Sequence, residues 1–157
     1  MLEYTYWLFK KRGKLMLLNK SLLTEKIIKE WVNNLTNRLR LKPIKIDFDK
    51  EDNHASYDFA LKTFIFGGRM LKNLEDTDLW ANTFPSSAIT FYDKLYCIVA
   101  HECAHYLQYS KFPQWHWKYT NKNCHLSFRG VEAHHKRKIE RNAQKIAHIL
   151  FREYKGT

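Results

Sequence analysis

The first long run of regularly spaced apolar residues is the segment SLLTEKIIKEWVNNLTNRLRL, residues 21–41. Apolar side chains recur in it at intervals of four, with further apolar residues beside them, which predicts an amphipathic helix. The stripe consists of Leu23, Ile27, Trp31, Leu35 and Leu39, flanked by Ile28 and Val32. Ser21 is a candidate N-cap, and Pro43 prevents the helix from continuing because the residue before a proline disfavours helical conformation.

Two segments that follow have the shorter period of β-strands. Residues 44–49, IKIDFD, alternate apolar and polar side chains, which predicts a half-buried strand. Residues 57–66, YDFALKTFIF, resume strand character until Gly67 and Gly68 interrupt it. The polar segment between the two runs predicts a turn, so we expect a small antiparallel sheet of two or three strands.

Two further helices are predicted in the second half of the chain. Thr90 and Asp93 have the spacing of a capping box and precede the apolar run that contains HECAH. Residues 110–130 are aromatic, polar and aperiodic, and a last helix is predicted from about Val131 to Tyr154. The order of elements predicts an α+β fold, with the sheet packed against an N-terminal helix, the HECAH helix and a C-terminal helix.

The composition indicates a folded core and a basic surface. The chain has 157 residues, 45% of them hydrophobic and 15% aromatic, which is enough apolar material for a folded domain. We therefore expect one domain over residues 1–157, in which residues 1–42 form an N-terminal extension and helix. The net charge of +11 favours acidic partners such as nucleic acid, but no recognition motif accompanies it, and a solvated basic surface is the alternative.

The N-terminal charges and the cysteines indicate in which cellular compartment the protein is expected. Basic residues within positions 10–14 divide the N-terminal apolar groups, so no stretch approaches the roughly 18 apolar residues of a membrane span. No small-residue cleavage pattern follows them, which argues against a signal peptide. Cys97, Cys103 and Cys124 make an odd count without a CxxC pair, as suits reduced thiols. We expect a cytoplasmic protein with no membrane partner.

The segment IVAHECAHYLQY, residues 98–109, carries the clearest candidate chemistry. In a helix His101 and His105 lie about 40° apart around the axis and about 6 Å apart along it, so both imidazoles can bind one metal ion. Glu102 lies about 100° further round, too far to be a ligand but placed to take a proton from water at the metal. This arrangement predicts a zinc site for peptide hydrolysis; the alternative is a pair of core histidines that bond to backbone or water.

A catalytic zinc ion of this type needs a third protein ligand. Gln108 and Lys111 occupy the places of glycine and histidine in the extended HExxHxxGxxH motif, so the ligand must come from farther along the chain. The candidates are His116, His125, Glu132, His134, His135 and Glu140. We favour Glu140, because Ala143 and Ala147 share its stripe and would let the last helix pack closely on the HECAH helix. The alternative for Glu140 is an exposed acid that pairs with Lys136 or Arg137.

The HECAH motif followed by ERNAQKIA resembles the gluzincin pattern of the ImmA/IrrE-type metallopeptidases. In that family a glutamate before a spaced pair of alanines supplies the third zinc ligand, which implies Glu140. The order of a helix, a small sheet with an edge strand and the HExxH helix is also that family's layout. In second place the chain resembles the SprT-like family, in which HHKRKIERNA would make His134 the ligand, although His135 stands where glycine is usual. Both resemblances span roughly residues 43–150.

Both resemblances imply a small intracellular zinc endopeptidase, with residues 43–157 as its catalytic core. ImmA/IrrE-like proteins cleave regulatory proteins, and SprT-like proteins cleave proteins attached to or acting on DNA. We expect Zn²⁺ to be held by His101, His105 and Glu140, with Glu102 as the general base. A zinc-stabilised binding module that hydrolyses nothing is the alternative from another class, although structural zinc sites usually have four protein ligands and no use for Glu102.

An extended protein substrate is expected to pair with an edge strand within LKTFIFGG, residues 61–68. That segment is rich in β-branched and aromatic residues and ends in two glycines, which permit close approach of another backbone. The alternative is an ordinary interior strand.

Overall fold

The computed structural model describes residues 22–74, 84–122 and 138–157, which contain five helices and three strands. The helices are α1 (residues 22–38), α2 (Gly68–Asn73), α3 (Phe91–Lys111), α4 (Pro113–Lys122) and α5 (Lys138–Lys155). The strands are β1 (Lys45–Asp49), β2 (Ala55–Asp58) and β3 (Thr63–Gly67). The α+β class is confirmed, with a small sheet packed against helices.

The sheet has the order β1–β3–β2, so that β3 is its central strand. β2 and β3 are antiparallel, whereas β1 and β3 are parallel, with Lys45 opposite Thr63 and Asp49 opposite Gly67. The expectation of an antiparallel sheet is therefore wrong for one of the two pairings. The reason is that residues 50–54 cross to the far side of the sheet, and the turn after β2 then brings β3 back into the middle.

Gly67 and Gly68 allow the chain to cross here. A Cβ atom on Gly67 would lie 2.3 Å from the backbone oxygen of Asp52, and one on Gly68 would lie 2.9 Å from the Cα atom of Lys50. The close approach also satisfies backbone groups, because the Gly67 N–H donates to the carbonyl of His54 at 2.9 Å. Gly67 thus ends β3 and Gly68 begins α2, and both are sites of close contact between chain segments.

The run predicted over residues 57–66 is divided between two strands by a turn. The Asp58 carboxylate accepts a hydrogen bond from the Leu61 N–H at 2.8 Å, and Lys62 has a left-handed backbone with φ 50°. Aspartate commonly promotes chain reversal through such a bond to a nearby backbone group. The turn makes β2 and β3 a hairpin and leaves β2 at the edge of the described sheet.

The hydrophobic core lies between α1, the sheet and α3. The buried apolar residues of α1 are Ile28, Val32 and Leu35. They form one cluster with Phe64 and Phe66 of β3 and with apolar residues of α3. The predicted helix is confirmed over residues 22–38, but Leu23, which belongs to the predicted stripe, is 51% exposed. The candidate cap Ser21 lies outside the described residues.

α3 begins at the predicted capping box, which is confirmed. Thr90 Oγ1 accepts a hydrogen bond from the Asp93 N–H, and the Asp93 carboxylate accepts one from the Thr90 N–H, both at 3.1 Å. Lys155 at the end of α5 donates to the same carboxylate at 3.1 Å. Burial opposes the charged form, but the bonds from Thr90 and Lys155 outweigh it and lower the pKa of Asp93. The cap therefore joins the start of α3 to the end of α5.

α5 packs along α3 through faces that are rich in small residues. The small buried residues are Ala143 and Ala147 on α5, and Ala100, Cys103 and Ala104 on α3. Small side chains allow the axes of two helices to approach closely. The predicted last helix is confirmed over residues 138–155, and residues 131–137 lie outside the described ranges. Cys97 and Cys103 are buried free thiols, whereas Cys124 lies outside the described ranges.

α4 lies in a segment for which no regular element was predicted. Pro113 occupies its first position, where the N–H that proline lacks has no partner within the helix. His116 is buried while Trp117 is 64% exposed, so the aromatic residues surround the helix and leave no clear apolar stripe. In the described ranges, no helix has an apolar stretch long enough to cross a membrane.

Replacing Gly67 by alanine should destabilise the fold, because the added Cβ would collide with backbone atoms of the crossing segment. We expect the free energy of unfolding in urea to fall by about 2–3 kcal/mol, as for overpacking at a constrained site. Gly156→Ala is the control: nothing lies within 4 Å of its added Cβ, and its left-handed backbone alone should cost about 1 kcal/mol. A Gly67→Ala protein as stable as wild type would contradict the crossing.

Candidate metal centre

Two histidines one helical turn apart form the first part of the site. α3 directs His101 and His105 to the same side, and their Nε2 atoms are 3.1 Å apart. The ring planes are almost perpendicular, at 88°, so the two nitrogens meet at their edges instead of the rings stacking. The helical spacing in HECAH predicts this convergence, because residues four apart lie on one face.

Glu140 completes the cluster from the neighbouring helix. Its Oε2 atom is 3.2 Å from the Nε2 atoms of both His101 and His105. Little of the three side chains reaches solvent: 19% of His101, 13% of His105 and 10% of Glu140 is exposed. In the described part of the chain, this is the group of potential ligands that could hold a metal ion.

The three atoms have the mutual spacing that a zinc site requires. Ligands about 2.0–2.1 Å from a tetrahedral zinc ion lie about 3.3–3.4 Å from one another. The observed separations of 3.1 to 3.2 Å fall just below that value. Two imidazole nitrogens and one carboxylate oxygen are also a ligand set that zinc accepts. The residues present therefore fit a catalytic zinc ion, which would keep one position open.

The charges around the cluster favour a cation at its centre. Burial opposes a charged imidazole, yet the carboxylates of Glu140 and Glu102 outweigh it and raise the pKa of His105 to about 9. In the absence of metal, a proton on His105 therefore compensates the buried carboxylates. A metal ion would compete with that proton for the same nitrogen.

Glu102 lies beside the cluster and outside it. Its side chain is buried, and burial raises its pKa, while His101 and His105 act in the opposite direction. A backbone hydrogen bond from Tyr57 in β2 also favours the charged carboxylate. Glu102 therefore lies between the two histidines of α3 and the edge strand of the sheet, and its role as the base stays a prediction.

The other candidate ligands divide into one described residue and four that are not described. His116 of α4 is buried against the rings of Tyr109 and Phe59, with centroids 5.7 and 6.1 Å away. Burial and the nearby charge of His105 lower its pKa, and it is not part of the ligand cluster. His125, Glu132, His134 and His135 lie outside the described residues, so the SprT-like alternative stays a prediction.

No family model, curated protein or solved structure matches this chain. Both resemblances therefore stay predictions that rest on HECAH and on the C-terminal ERNAQKIA segment.

One predicted functional element is wrong. β3, within the segment 61–68 expected to bind substrate as an edge strand, is paired on both sides, with β1 and with β2. The turn between β2 and β3, which ends at Lys62, places β2 at the edge instead. Tyr57 of β2 packs on Tyr106 of α3, with ring centroids 5.2 Å apart, so the strand beside the site is β2.

One further contact was missed at the sequence level. Gln108 Oε1 lies 3.0 Å from Nδ1 of His105, on the side of the ring that faces away from the cluster. In the sequence, Gln108 is notable only as the residue that replaces the glycine of the longer motif. The spacing of His105 and Gln108 nevertheless indicates a contact, because residues three positions apart share one face of a helix.

We predict that Glu140→Ala weakens zinc binding by more than about 100-fold, since losing only an outer hydrogen-bond partner of a ligand costs about 10–100-fold. His101→Ala and His105→Ala should do the same, and wild type should bind one zinc ion per chain. Zinc affinity is measured by competition with a chromophoric chelator.

Glu153→Ala is the matched control, because Glu153 lies on the same helix and pairs with Arg38 at the surface. It should retain zinc, as should His134→Ala and His135→Ala. Loss of zinc from either histidine variant combined with normal binding by Glu140→Ala would move the third ligand to the undescribed segment.

Proposed function

We propose that this chain is a zinc-dependent endopeptidase that hydrolyses peptide bonds in a protein substrate. The observation that carries the proposal is the convergence of His101, His105 and Glu140 beside the buried carboxylate of Glu102. A structural zinc site needs ligands alone, whereas a hydrolase also needs a group that moves protons. Glu102 is such a group, since it is adjacent to a ligand but not part of the ligand cluster.

The uncovered edge of β2 is a surface to which an extended substrate can bind. The Gly67 N–H donates to the His54 carbonyl, so His54 and Gly67 are a hydrogen-bonded pair of the antiparallel ladder. Hydrogen-bonded and non-hydrogen-bonded pairs alternate along such a ladder, so the backbone N–H and C=O groups of Ala55 and Tyr57 point away from β3. In the described part of the chain no strand covers that edge. A substrate strand paired there would lie next to Glu102, which the Tyr57 backbone contacts.

The chemistry divides between the ion and the protein. A bound zinc ion supplies Lewis acidity, which makes water more acidic and a peptide carbonyl more electrophilic. Glu102 takes one proton from the attacking water while the water oxygen forms a bond to the carbonyl carbon of the substrate. The same carboxyl then delivers the proton to the departing nitrogen as the C–N bond breaks. The backbone of β2 holds the substrate extended during both transfers.

The substrate class, compartment and partners stay proposals. The charge of +11 supports a substrate or partner that is acidic, including a protein bound to nucleic acid. Cleavage of an intracellular regulatory protein, the activity that the ImmA/IrrE resemblance implies, is consistent with the same site. A zinc-stabilised binding module is the competing function, and a variant of Glu102 distinguishes the two.

Glu102→Gln should abolish hydrolysis and leave zinc binding intact, because the amide keeps the shape of the side chain and loses its basicity. We expect turnover of a quenched fluorescent peptide mixture to fall by about 100–10,000-fold, the usual contribution of a general base. Glu51→Gln, at an exposed carboxylate paired with Arg69, is the control and should retain full turnover. Hydrolysis by Glu102→Gln at the wild-type rate would refute the assigned role.

Ala55→Pro should weaken substrate binding, because proline removes an N–H that points to the uncovered edge of β2. Proline is tolerated there since Ala55 is the first residue of an edge strand. Loss of one backbone hydrogen bond should lower kcat/KM by about 5–10-fold at unchanged zinc content. Ala55→Val keeps the N–H and should behave like wild type; equal kcat/KM for all three proteins would remove β2 from the substrate site.

A further inference from the structure

The side chain of Gln108 connects both helices of the metal centre and is only 2% exposed. Its Oε1 atom lies 3.0 Å from Nδ1 of His105. Its Nε2 atom donates to the Ile139 carbonyl at 3.0 Å and to Asn142 Oδ1 at 2.9 Å. One buried amide therefore contacts a candidate ligand on α3 and the backbone next to Glu140 on α5.

The Ile139 carbonyl determines how the amide is oriented. A backbone carbonyl can only accept, so the group that faces it must be the NH₂ of Gln108. The opposite orientation would bring Oε1 against the carbonyl oxygen, so that two acceptors would face each other with no proton between them. Oε1 consequently faces His105.

This orientation in turn selects the tautomer of His105. An oxygen that accepts can be satisfied only by a proton on Nδ1, so the neutral imidazole carries its lone pair on Nε2. That lone pair points to the Nε2 of His101 and the Oε2 of Glu140. It is the form of the ring that binds a metal ion through Nε2, and the opposite tautomer would present an N–H to the cluster.

The donor side of the same amide acts on the third ligand. The Ile139 carbonyl belongs to the residue directly before Glu140, and Asn142 follows two positions later. The two hydrogen bonds therefore fix the start of the described part of α5 against α3 at the height of the ligands.

We propose that Gln108 is a positioning residue of the metal centre, which holds His105 in the metal-binding tautomer and aligns the Glu140 segment with it. The inference rests on the metal ion of the proposed function but not on peptide hydrolysis. Its two parts are separable, because the oxygen of the amide acts on His105 and the nitrogen acts on α5.

Two substitutions separate these parts. Gln108→Met keeps the unbranched shape and removes both the acceptor and the donors. Gln108→Glu keeps an acceptor for the His105 N–H and removes both donors. Gln114→Met is the matched control, because Gln114 is an exposed glutamine on α4. Asn142→Ala removes a partner of the donor side only.

The primary measurement is the affinity for zinc and for cobalt(II), by chelator competition, on proteins whose folding is checked by circular dichroism. We expect Gln108→Met to bind both ions about 10–100-fold more weakly, the usual cost of losing an outer partner of a ligand. Gln108→Glu should recover most of this loss and stay within about 10-fold of wild type, because a carboxylate is a frequent partner of a ligating imidazole, whereas the lost donors weaken the alignment of α5. Gln114→Met should bind like wild type, whereas Asn142→Ala, which leaves the bond to the Ile139 carbonyl in place, should lose a few-fold in affinity.

Proton NMR of the cobalt(II) form gives a second readout. The His105 Nδ1–H, held by a buried acceptor, should give a paramagnetically shifted resonance that exchanges slowly with D₂O. The resonance should persist in Gln108→Glu and vanish or exchange rapidly in Gln108→Met. Should Gln108→Met not fold, the wild-type resonance and the affinity of Gln108→Glu still decide the question.

Three results would overturn the inference: wild-type affinity in folded Gln108→Met, equal losses in the Met and Glu variants, or no slowly exchanging resonance in wild type. The second of these would reduce Gln108 to a contact between helices. A protein that binds zinc as described and cleaves nothing would contradict the proposed function and leave this inference intact.

Discussion

The packing of α5 on α3 is the contact on which the candidate metal centre depends. α3 carries two candidate ligands and the candidate base, and within the described residues the third candidate ligand is Glu140, which α5 brings within 3.2 Å of both histidines. Small buried residues on both helices permit that approach, and Gln108 joins the helices at the level of the ligands. The hydrogen bond from Lys155 to the Asp93 carboxylate holds the other end of α5 against the start of α3.

This packing places two carboxylates in a region of low solvent access. Burying charge is costly unless it is compensated, and Glu102 and Glu140 both lie close to the imidazoles of His101 and His105. A proton on His105 is one form of compensation, as the raised pKa of that residue indicates. A divalent cation at the cluster is another, and it would use the same Nε2 atom. The buried carboxylates therefore require a compensating positive charge whether or not the protein catalyses a reaction.

Much of the helical framework could be predicted from the sequence because helical periodicity and caps act locally. The Thr90 and Asp93 cap, the HECAH face and the stripe of Glu140 with Ala143 and Ala147 each depend on spacing along one helix. The order of the strands could not be predicted in this way, because it depends on where residues 50–54 cross Gly67. That contact joins distant parts of the sheet, and it decides that β2, not β3, is the edge strand.

The errors within the site have similar causes. α4 has aromatic residues on several sides, so it lacks the stripe by which a surface helix is recognised. Gln108 follows His105 at helical spacing, but its partners on α5 become visible only when the two helices are packed. Position in a helix predicts which residues can meet, whereas the identity of the partner depends on tertiary structure.

Zinc K-edge X-ray absorption of the zinc-loaded protein shows whether His101, His105 and Glu140 hold the metal ion. We expect two imidazole ligands with oxygen in the remaining positions, all at about 2.0–2.1 Å, and no sulfur. When Glu140 is replaced by alanine, one oxygen should disappear from the set of zinc ligands, or the zinc ion should be lost. Three imidazoles, or a sulfur ligand at about 2.3 Å, would contradict the site described here.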